Sequence, residues 1–207
     1  MTAAAVASLA DAFIRDALAK ARSIRPSKIV IAASSPNGAL RSRYFQRLAR
    51  KFDAELVDQG AGSLGKRMAR ALEPYADCGA LLIGTDTPSL PAALLEQSLI
   101  RLKRSRVVIA PSLDGGYYAI GVRGGLPPIF SAIRWGGSRV FDSTISGLER
   151  AGVRYALGPS WYDVDRFSDV MLLAAHLRMS RSRARYESPC PATETSLKRL
   201  GLLREAR

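Results

Sequence analysis

The chain has little histidine, little cysteine and a deficit of acidic residues. Its one histidine is His176, inside a helical stretch between Ala175 and Leu177. A Ser-His-Asp hydrolase would have to use it, so serine or cysteine hydrolase chemistry is disfavoured. The two cysteines, Cys78 and Cys190, stand in no metal or redox spacing, and both read as free thiols. No apolar run reaches the roughly 18 residues that a membrane span needs. Nor does Met1 to Ala21 read as a signal peptide, because it carries Asp11, Arg15, Asp16 and Lys20 at helical spacing. A cytoplasmic location is the expectation.

Acidic residues number 18 against 31 Lys and Arg, a net charge of +13. Local density peaks at Arg101 to Arg106 and Arg178 to Arg185. Such a surplus raises the question of nucleic acid. No aromatics interleave with these charges apart from Tyr186 at one edge, and no RNA-binding signature accompanies them. Solvated helix faces are the plainer reading, so nucleic acid is not an expected partner. Attraction to anionic nucleotides or acidic lipid surfaces lies between the two.

What is present is the composition of one soluble domain: 207 residues, 47% hydrophobic and 7% aromatic. Helical and extended patterns alternate. Val6, Leu9, Phe13, Ile14, Ala17 and Leu18 mark one face of an opening helix. The pattern predicts strands over 28–33, 54–59, 80–84, 106–111, 117–122 and 153–157. It predicts helices over 40–52, 63–75, 91–102, 137–151 and 167–179. This alternation implies a largely parallel sheet covered on both faces. Residues 1–179 form the expected domain. Residues 180–207 read as a basic, partly disordered tail with a short terminal helix.

Three acidic stations fall where apolar strands run out: Gly84-Thr85-Asp86-Thr87-Pro88, Leu113-Asp114-Gly115-Gly116-Tyr117-Tyr118 and Trp161-Tyr162-Asp163-Val164-Asp165. The open edge of an α/β sheet is where such folds bind ligands. Carboxylate oxygens suit Mg²⁺ or Mn²⁺ rather than zinc. Asp86 is either a metal ligand or a cap of the next helix, a role Ser89 could also fill. Asp114-Gly115-Gly116 is either a hairpin turn or a close approach to ligand. Asp163 and Asp165 lie on one side of an extended segment, and such a pair needs a cation or an arginine such as Arg166. Asp165 could also cap the last helix. Gln59 to Met68 joins a strand end to a helix N-terminus, a ready anion contact.

Four blocks occur in order: Gln59-Gly60-x-Gly62-x-Leu64-Gly65-x-Arg67-Met68; Ile83-Gly84-Thr85-Asp86-x-Pro88-x-Leu90-Pro91; Ala110-Pro111-x-x-Asp114-Gly115-Gly116-Tyr117-Tyr118-x-Ile120-Gly121; and Trp135 with Asp163-x-Asp165. On these blocks the chain resembles the bacterial glycosyltransferase-like family described as radical-SAM/selenodomain-associated transferases. That family sits with the nucleotide-diphospho-sugar transferases of GT-A fold and is related to cofactor guanylyltransferases. The resemblance covers about residues 7–169. It implies a three-layer α/β/α GT-A-like (Rossmann-like), mostly parallel sheet. It implies metal ligation by Asp86, Asp163 and Asp165, with Asp86, Asp114 and Asp165 as the catalytic set. Gln59, Gly60, Gly65, Arg67 and Thr85 would meet the nucleotide. Gly115, Gly116, Tyr117 and Trp135 would meet the sugar or acceptor.

The family begins with a strand and a basic phosphate-gripping loop, whereas this sequence begins with the helix that would follow them. The expectation is therefore an N-terminally truncated version. Ser63, Lys66, Gly136 and Gly137 also depart from the family's pattern. The expected activity is metal-dependent glycosyl transfer from a nucleotide-diphospho-sugar to an unknown acceptor. Two alternatives remain at this point: a nucleotidyltransferase acting on a nucleoside triphosphate with release of pyrophosphate, and an inactive nucleotide-binding or scaffold module.

Overall fold

The computed structural model describes residues 1–131, 133–181 and 186–203. Its elements run α1 (Ala3–Ser23), β1 (Val30–Ala33), α2 (Arg43–Phe52), β2 (Glu55–Asp58), α3 (Leu64–Leu72) and β3 (Ala80–Ile83). They continue with α4 (Ala92–Leu102), β4 (Val107–Pro111), β5 (Tyr117–Val122), α5 (Val140–Arg150), β6 (Tyr155–Leu157), α6 (Phe167–Arg181) and α7 (Pro191–Arg199). Local side-chain caps start two of the helices. Thr2 caps α1 through Oγ1, which accepts the Ala5 amide, and Ser63 caps α3 by accepting from Lys66 N. Leu48 and Phe52 of α2, and Met68 and Leu72 of α3, are buried at i, i+4 spacing. The uninterrupted apolar run of β4 is buried on both sides.

The strands form two sheets, β1-β2 and β3-β5-β4-β6. β1 and β2 are parallel, as are β4 and β6. β5 is antiparallel to both its neighbours. The expected mostly parallel sheet is thus mixed. The reason is the short 112–116 hairpin: so tight a connection can join only antiparallel neighbours. β5 therefore folds back between β3 and β4, which run the same way and are bridged by α4. Among the described residues β1 pairs only with β2 and β3 only with β5, which leaves each one side without a strand partner.

One apolar core joins α3 and α5 to β4 and β5 through Met68, Leu72, Ile109, Ile120 and Leu148. Another gathers Leu90, Leu95, Ala110 and Tyr118. A third joins α1 to β1 and α2 through Leu18, Ile31, Leu48 and Phe52. The fourth unites α1, α6 and α7 through Leu9, Phe13, Leu173, Leu177, Cys190 and Leu197.

That fourth core changes the picture of residues 180–207. α6 runs on to Arg181, and Pro191–Arg199 is helical rather than tail. Proline at its start suits a first helical turn. Buried Asp16 of α1 accepts the Ala192 and Thr193 amides at 3.0 and 2.7 Å and so caps α7 from another helix. Of the basic run at 178–185, residues 182–185 lie outside the described residues, as do residues 204–207 of the expected terminal helix. Among the described residues no helix is long and apolar enough to cross a membrane.

Candidate active site

The first acidic station hangs from the end of β3. Thr87, Ser89 and Leu90 are buried behind it. Lys20, buried in α1, donates to the carbonyls of Pro88 at 2.6 Å and Thr87 at 3.4 Å. Burial lowers the Lys20 amine to about 8, against smaller opposing charges from Cys190 and Asp16. Neither Asp86 nor Ser89 caps the next helix: α4 begins after Pro91 with no side-chain cap. Ser89 instead donates to Tyr162 Oη at 2.7 Å and accepts from Trp161 Nε1 at 3.2 Å. Tyr162 Oη also lies 2.7 Å from His176 Nδ1. The lone histidine therefore braces the segment that carries the third station.

That segment is held in register by hydrogen bonds to the sheet. Beyond the β4/β6 ladder, Gly158 N donates to Ile109 O and Trp161 N to Pro111 O, at 2.7 and 3.1 Å. Val164 N then donates to Asp86 O at 2.9 Å. The Val164 side chain is buried in the α1/α6/α7 core, so Asp163 and Asp165, one step either side, share the opposite side. The amides of Asp165 and Arg166 are taken by the Asp169 carboxylate at 3.1 and 2.8 Å. Asp169 thus performs the N-terminal role that Asp165 could have filled.

The second station is a hairpin. Asp114 Oδ1 accepts the Gly116 amide at 2.8 Å and the Ser112 hydroxyl. Gly115 has φ of 90°, and a Cβ there would come within 2.0 Å of Ser138 O. Only glycine meets both demands.

Asp114, Asp163 and Asp165 converge: each offers a carboxylate oxygen, and these lie within 4.8 Å of one another. Asp86 is not part of that triplet, but it is close enough to sense it. Burial pushes its carboxyl above the ordinary range, and the charges of Asp165 and Asp114 push the same way. Burial and the charges of Asp114, Asp165 and Asp86 likewise raise Asp163. Among the described residues no lysine or arginine forms an ion pair with any of the four. Like charges gathered this closely favour a bound cation, although Asp114 and Asp165 are exposed and only Asp163 and Asp86 are half-buried. An all-oxygen donor set fits Mg²⁺ or Mn²⁺.

The Gly-rich turn is tied to the rest of the protein. Gln59 Nε2 donates to Ala32 O at 2.8 Å, and its Oε1 accepts from Arg67 at 3.1 Å. The Ala39 and Gly60 amides hold the Asp58 carboxyl below its ordinary range. Gly60 lies in the left-handed region with φ of 67°. Thr85 is exposed beside Asp86. Gly65 is buried, and a Cβ on it would fall 2.1 Å from Phe130 O and 2.4 Å from Trp135 Nε1. Trp135 therefore rests on the N-terminus of α3, with Tyr117 edge-on to it at 6.3 Å. Tyr117 Oη, Trp135 Nε1 and Arg67 Nε are buried without hydrogen-bond partners. Burial raises the Tyr117 hydroxyl; Thr144 lies close enough to oppose this, but its own hydroxyl donates to Val140 O at 2.8 Å. The two tyrosines enter different cores, Tyr117 that of α3 and α5 and Tyr118 that of Leu90 and Leu95.

The sequence reading missed Lys20 and the Ser89-Tyr162-His176 bracing. The available signal was Asp16 and Lys20, four apart on an otherwise apolar helix face.

A family described as an uncharacterized protein conserved in bacteria (DUF2064) matches residues 16–137, more than half the chain. The chain belongs to this family. Its fold is that of GT-A-like nucleotide-sugar transferases. It is similar to a crystal structure from Desulfovibrio desulfuricans G20 that is provisionally described as a nucleotide-diphospho-sugar transferase. The two share 26% identity and a TM-score of 0.77, over 95% of this chain and 84% of that one. A further similarity is to glucosyl-3-phosphoglycerate synthase from Mycobacterium tuberculosis, solved with Mn²⁺, UDP-glucose and phosphoglyceric acid. There identity is 14% and the TM-score 0.46, over 87% of this chain and 70% of that one. No curated protein matches the chain by sequence.

Proposed function

We propose that the protein is a metal-dependent glycosyltransferase that takes a nucleotide-diphospho-sugar as donor, within the radical-SAM/selenodomain-associated branch that its four sequence blocks resemble. The observation that carries this reading is the convergence of Asp114, Asp163 and Asp165 within 4.8 Å, with half-buried Asp86 behind them. Asp163 and Asp165, with Asp114 or Asp86, would hold Mg²⁺ or Mn²⁺. A cation there supplies charge stabilisation to the departing nucleoside diphosphate. Gln59, Gly60, Gly65, Arg67 and Thr85 would border the nucleotide. Gly115 and Gly116 would let the sugar approach the hairpin, above Tyr117 and Trp135. Catalytic duty would fall to Asp86, Asp114 and Asp165.

Calorimetric titration with Mn²⁺, followed by a panel of UDP-, GDP- and CDP-sugars, tests the reading. Binding that requires the metal and release of a nucleoside diphosphate support it. Pyrophosphate release from GTP or CTP would indicate a nucleotidyltransferase instead. Absence of nucleotide binding at millimolar concentration would refute both and leave an inactive module.

A further inference from the structure

Lys20 is a buried ammonium with no ion pair among the described residues. Its hydrogen-bond partners are instead two main-chain carbonyls, Pro88 O at 2.6 Å and Thr87 O at 3.4 Å. The Asp16 carboxylate, one turn earlier on α1, is occupied with the α7 amides. A buried charge without a paired counter-ion is costly to keep. Methionine or leucine would suit the apolar face of α1 without that cost. Lysine at this position therefore calls for a role beyond packing.

The role lies in what the clasp fixes. Distant elements take the carbonyls of three consecutive residues: Val164 N donates to Asp86 O at 2.9 Å, and Lys20 donates to Thr87 O and Pro88 O. The Asp86 carboxylate folds back over Gly84, where a Cβ would come within 2.6 Å of its Oδ1. Its place is thus set by the main chain of 84–88, which α1 pins through Lys20. Asp86 is close enough to Asp165 and Asp114 for their charges to act on it. We propose that Lys20 is a positioning residue of the candidate active site: by gripping the Thr87 and Pro88 carbonyls it holds the Asp86 carboxylate beside the Asp114, Asp163 and Asp165 triplet. Lys20 itself touches neither metal nor substrate. The inference rests on the glycosyl-transfer reading for its effect on the reaction, while the placement of Asp86 does not depend on it.

Amide hydrogen exchange and Mn²⁺ calorimetry on the full chain test the assignment. Lys20→Met keeps the apolar stem and removes the donor. Exchange at the Val164 amide, which reports the bond to Asp86 O, should accelerate about tenfold relative to the amide of Ile109 in the buried strand β4. Mn²⁺ should bind about tenfold more weakly, the usual effect of removing an outer support of a metal ligand. Lys20→Gln, which retains an N–H donor on a shorter stem, should fall between the wild type and Lys20→Met. It carries the test if the methionine variant does not fold. In an Asp86→Asn background the added Lys20→Met should weaken Mn²⁺ less than about twofold, because substitutions that act through one group are not additive. An equal loss in both backgrounds would overturn the proposal, and so would a Val164 amide that exchanges no faster relative to Ile109. A Val164 response in a protein whose wild type binds no Mn²⁺ would support the placement of Asp86 and count against the transferase reading. Mn²⁺ binding that Lys20→Met leaves intact would overturn the positioning role and leave that reading standing.

Discussion

The main-chain amide of Val164 donates a 2.9 Å hydrogen bond to the carbonyl of Asp86. This bond joins the strand end that carries Asp86 to the segment that carries Asp163 and Asp165. Because Val164 points into the core, its two acidic neighbours point out together. The bond therefore sets the register of three carboxylates at once.

Removing one of these charges should act oppositely on metal affinity and on metal-free stability. Asp163→Asn should weaken Mn²⁺ at least tenfold. Asp163 is half-exposed and raised by burial and by its acidic neighbours. Relieving that strain should stabilise the metal-free protein by about 0.5 kcal/mol, or ~1–2 °C in melting temperature. Differential scanning calorimetry with and without Mn²⁺ measures both. A lower melting temperature for metal-free Asp163→Asn would contradict the account.

Gly65→Ala should displace Trp135. The added methyl would sit 2.1 Å from a backbone oxygen and 2.4 Å from the indole nitrogen, and overpacking of this kind costs about 1–3 kcal/mol. A red shift of tryptophan emission together with a lower urea midpoint is expected. An unchanged spectrum would show that Trp135 does not rest on α3.

Lys20 predicts a pH dependence of stability. Burial lowers its amine from 10.5 to about 8. Between those values the native state binds fewer protons than the unfolded chain, so stability should rise with pH across that window. The gain attributable to Lys20 should be about 1–3 kcal/mol. Comparing urea unfolding of the wild type and Lys20→Met from pH 7.5 to 10 isolates it. Parallel curves for the two proteins would refute the assignment.

The docking of α7 can be read through a thiol. Cys78 is exposed and Cys190 buried, and burial pushes the Cys190 thiol up to about 12. Dithionitrobenzoate should label one cysteine in the native protein. Asp16→Ala removes the acceptor of two α7 amides, at a cost of about 1–2 kcal/mol, and Cys190 should then react within minutes. Continued protection of Cys190 would mean that the Asp16 cap does not hold α7.

Acid should loosen the same helix. Burial pushes the Glu194 carboxyl up, but hydrogen bonds from Ser188, Arg181 and Tyr186 and the Arg181 charge outweigh it, leaving the group below its usual 4.5. Its contribution is complete above 4.5 and disappears as pH falls through the lower folded value. At neutral pH trypsin should therefore cleave after Lys198 or Arg199 more readily in Glu194→Gln than in the wild type, because the substitution removes the charge that acid would remove. Equal cleavage rates would show that this carboxylate does not secure α7.

The legible parts of the fold were those written in short-range periodicity. Each expected strand is present within two or three residues, because alternation and apolar runs reflect the pleat directly. The helices are likewise present, though α2 starts at Arg43 and α5 at Val140, later than their apolar patterns suggested. The acidic stations were visible because carboxylates following apolar strands have few other places to be. Which three of them lie closest together was not. Asp86 looked like the first ligand, yet the tight triplet joins Asp114 to Asp163 and Asp165. The Asp-Gly-Gly turn concealed this, since the same residues serve any hairpin. The reach of α7 was hidden for a related reason: the cap that holds it is supplied by Asp16, 176 positions earlier in the chain.

The sequence by itself determined where strands and helices form, which strand ends carry carboxylates, and that Ser63 would start a helix. Those properties depend on neighbours a few residues apart. Only the tertiary structure decided that β5 inserts antiparallel between β3 and β4, that Lys20 clasps the loop behind Asp86, and which three carboxylates meet. Such outcomes are set by ladder register and by burial between distant segments, where one hydrogen bond from Val164 to Asp86 fixes what no local pattern encodes.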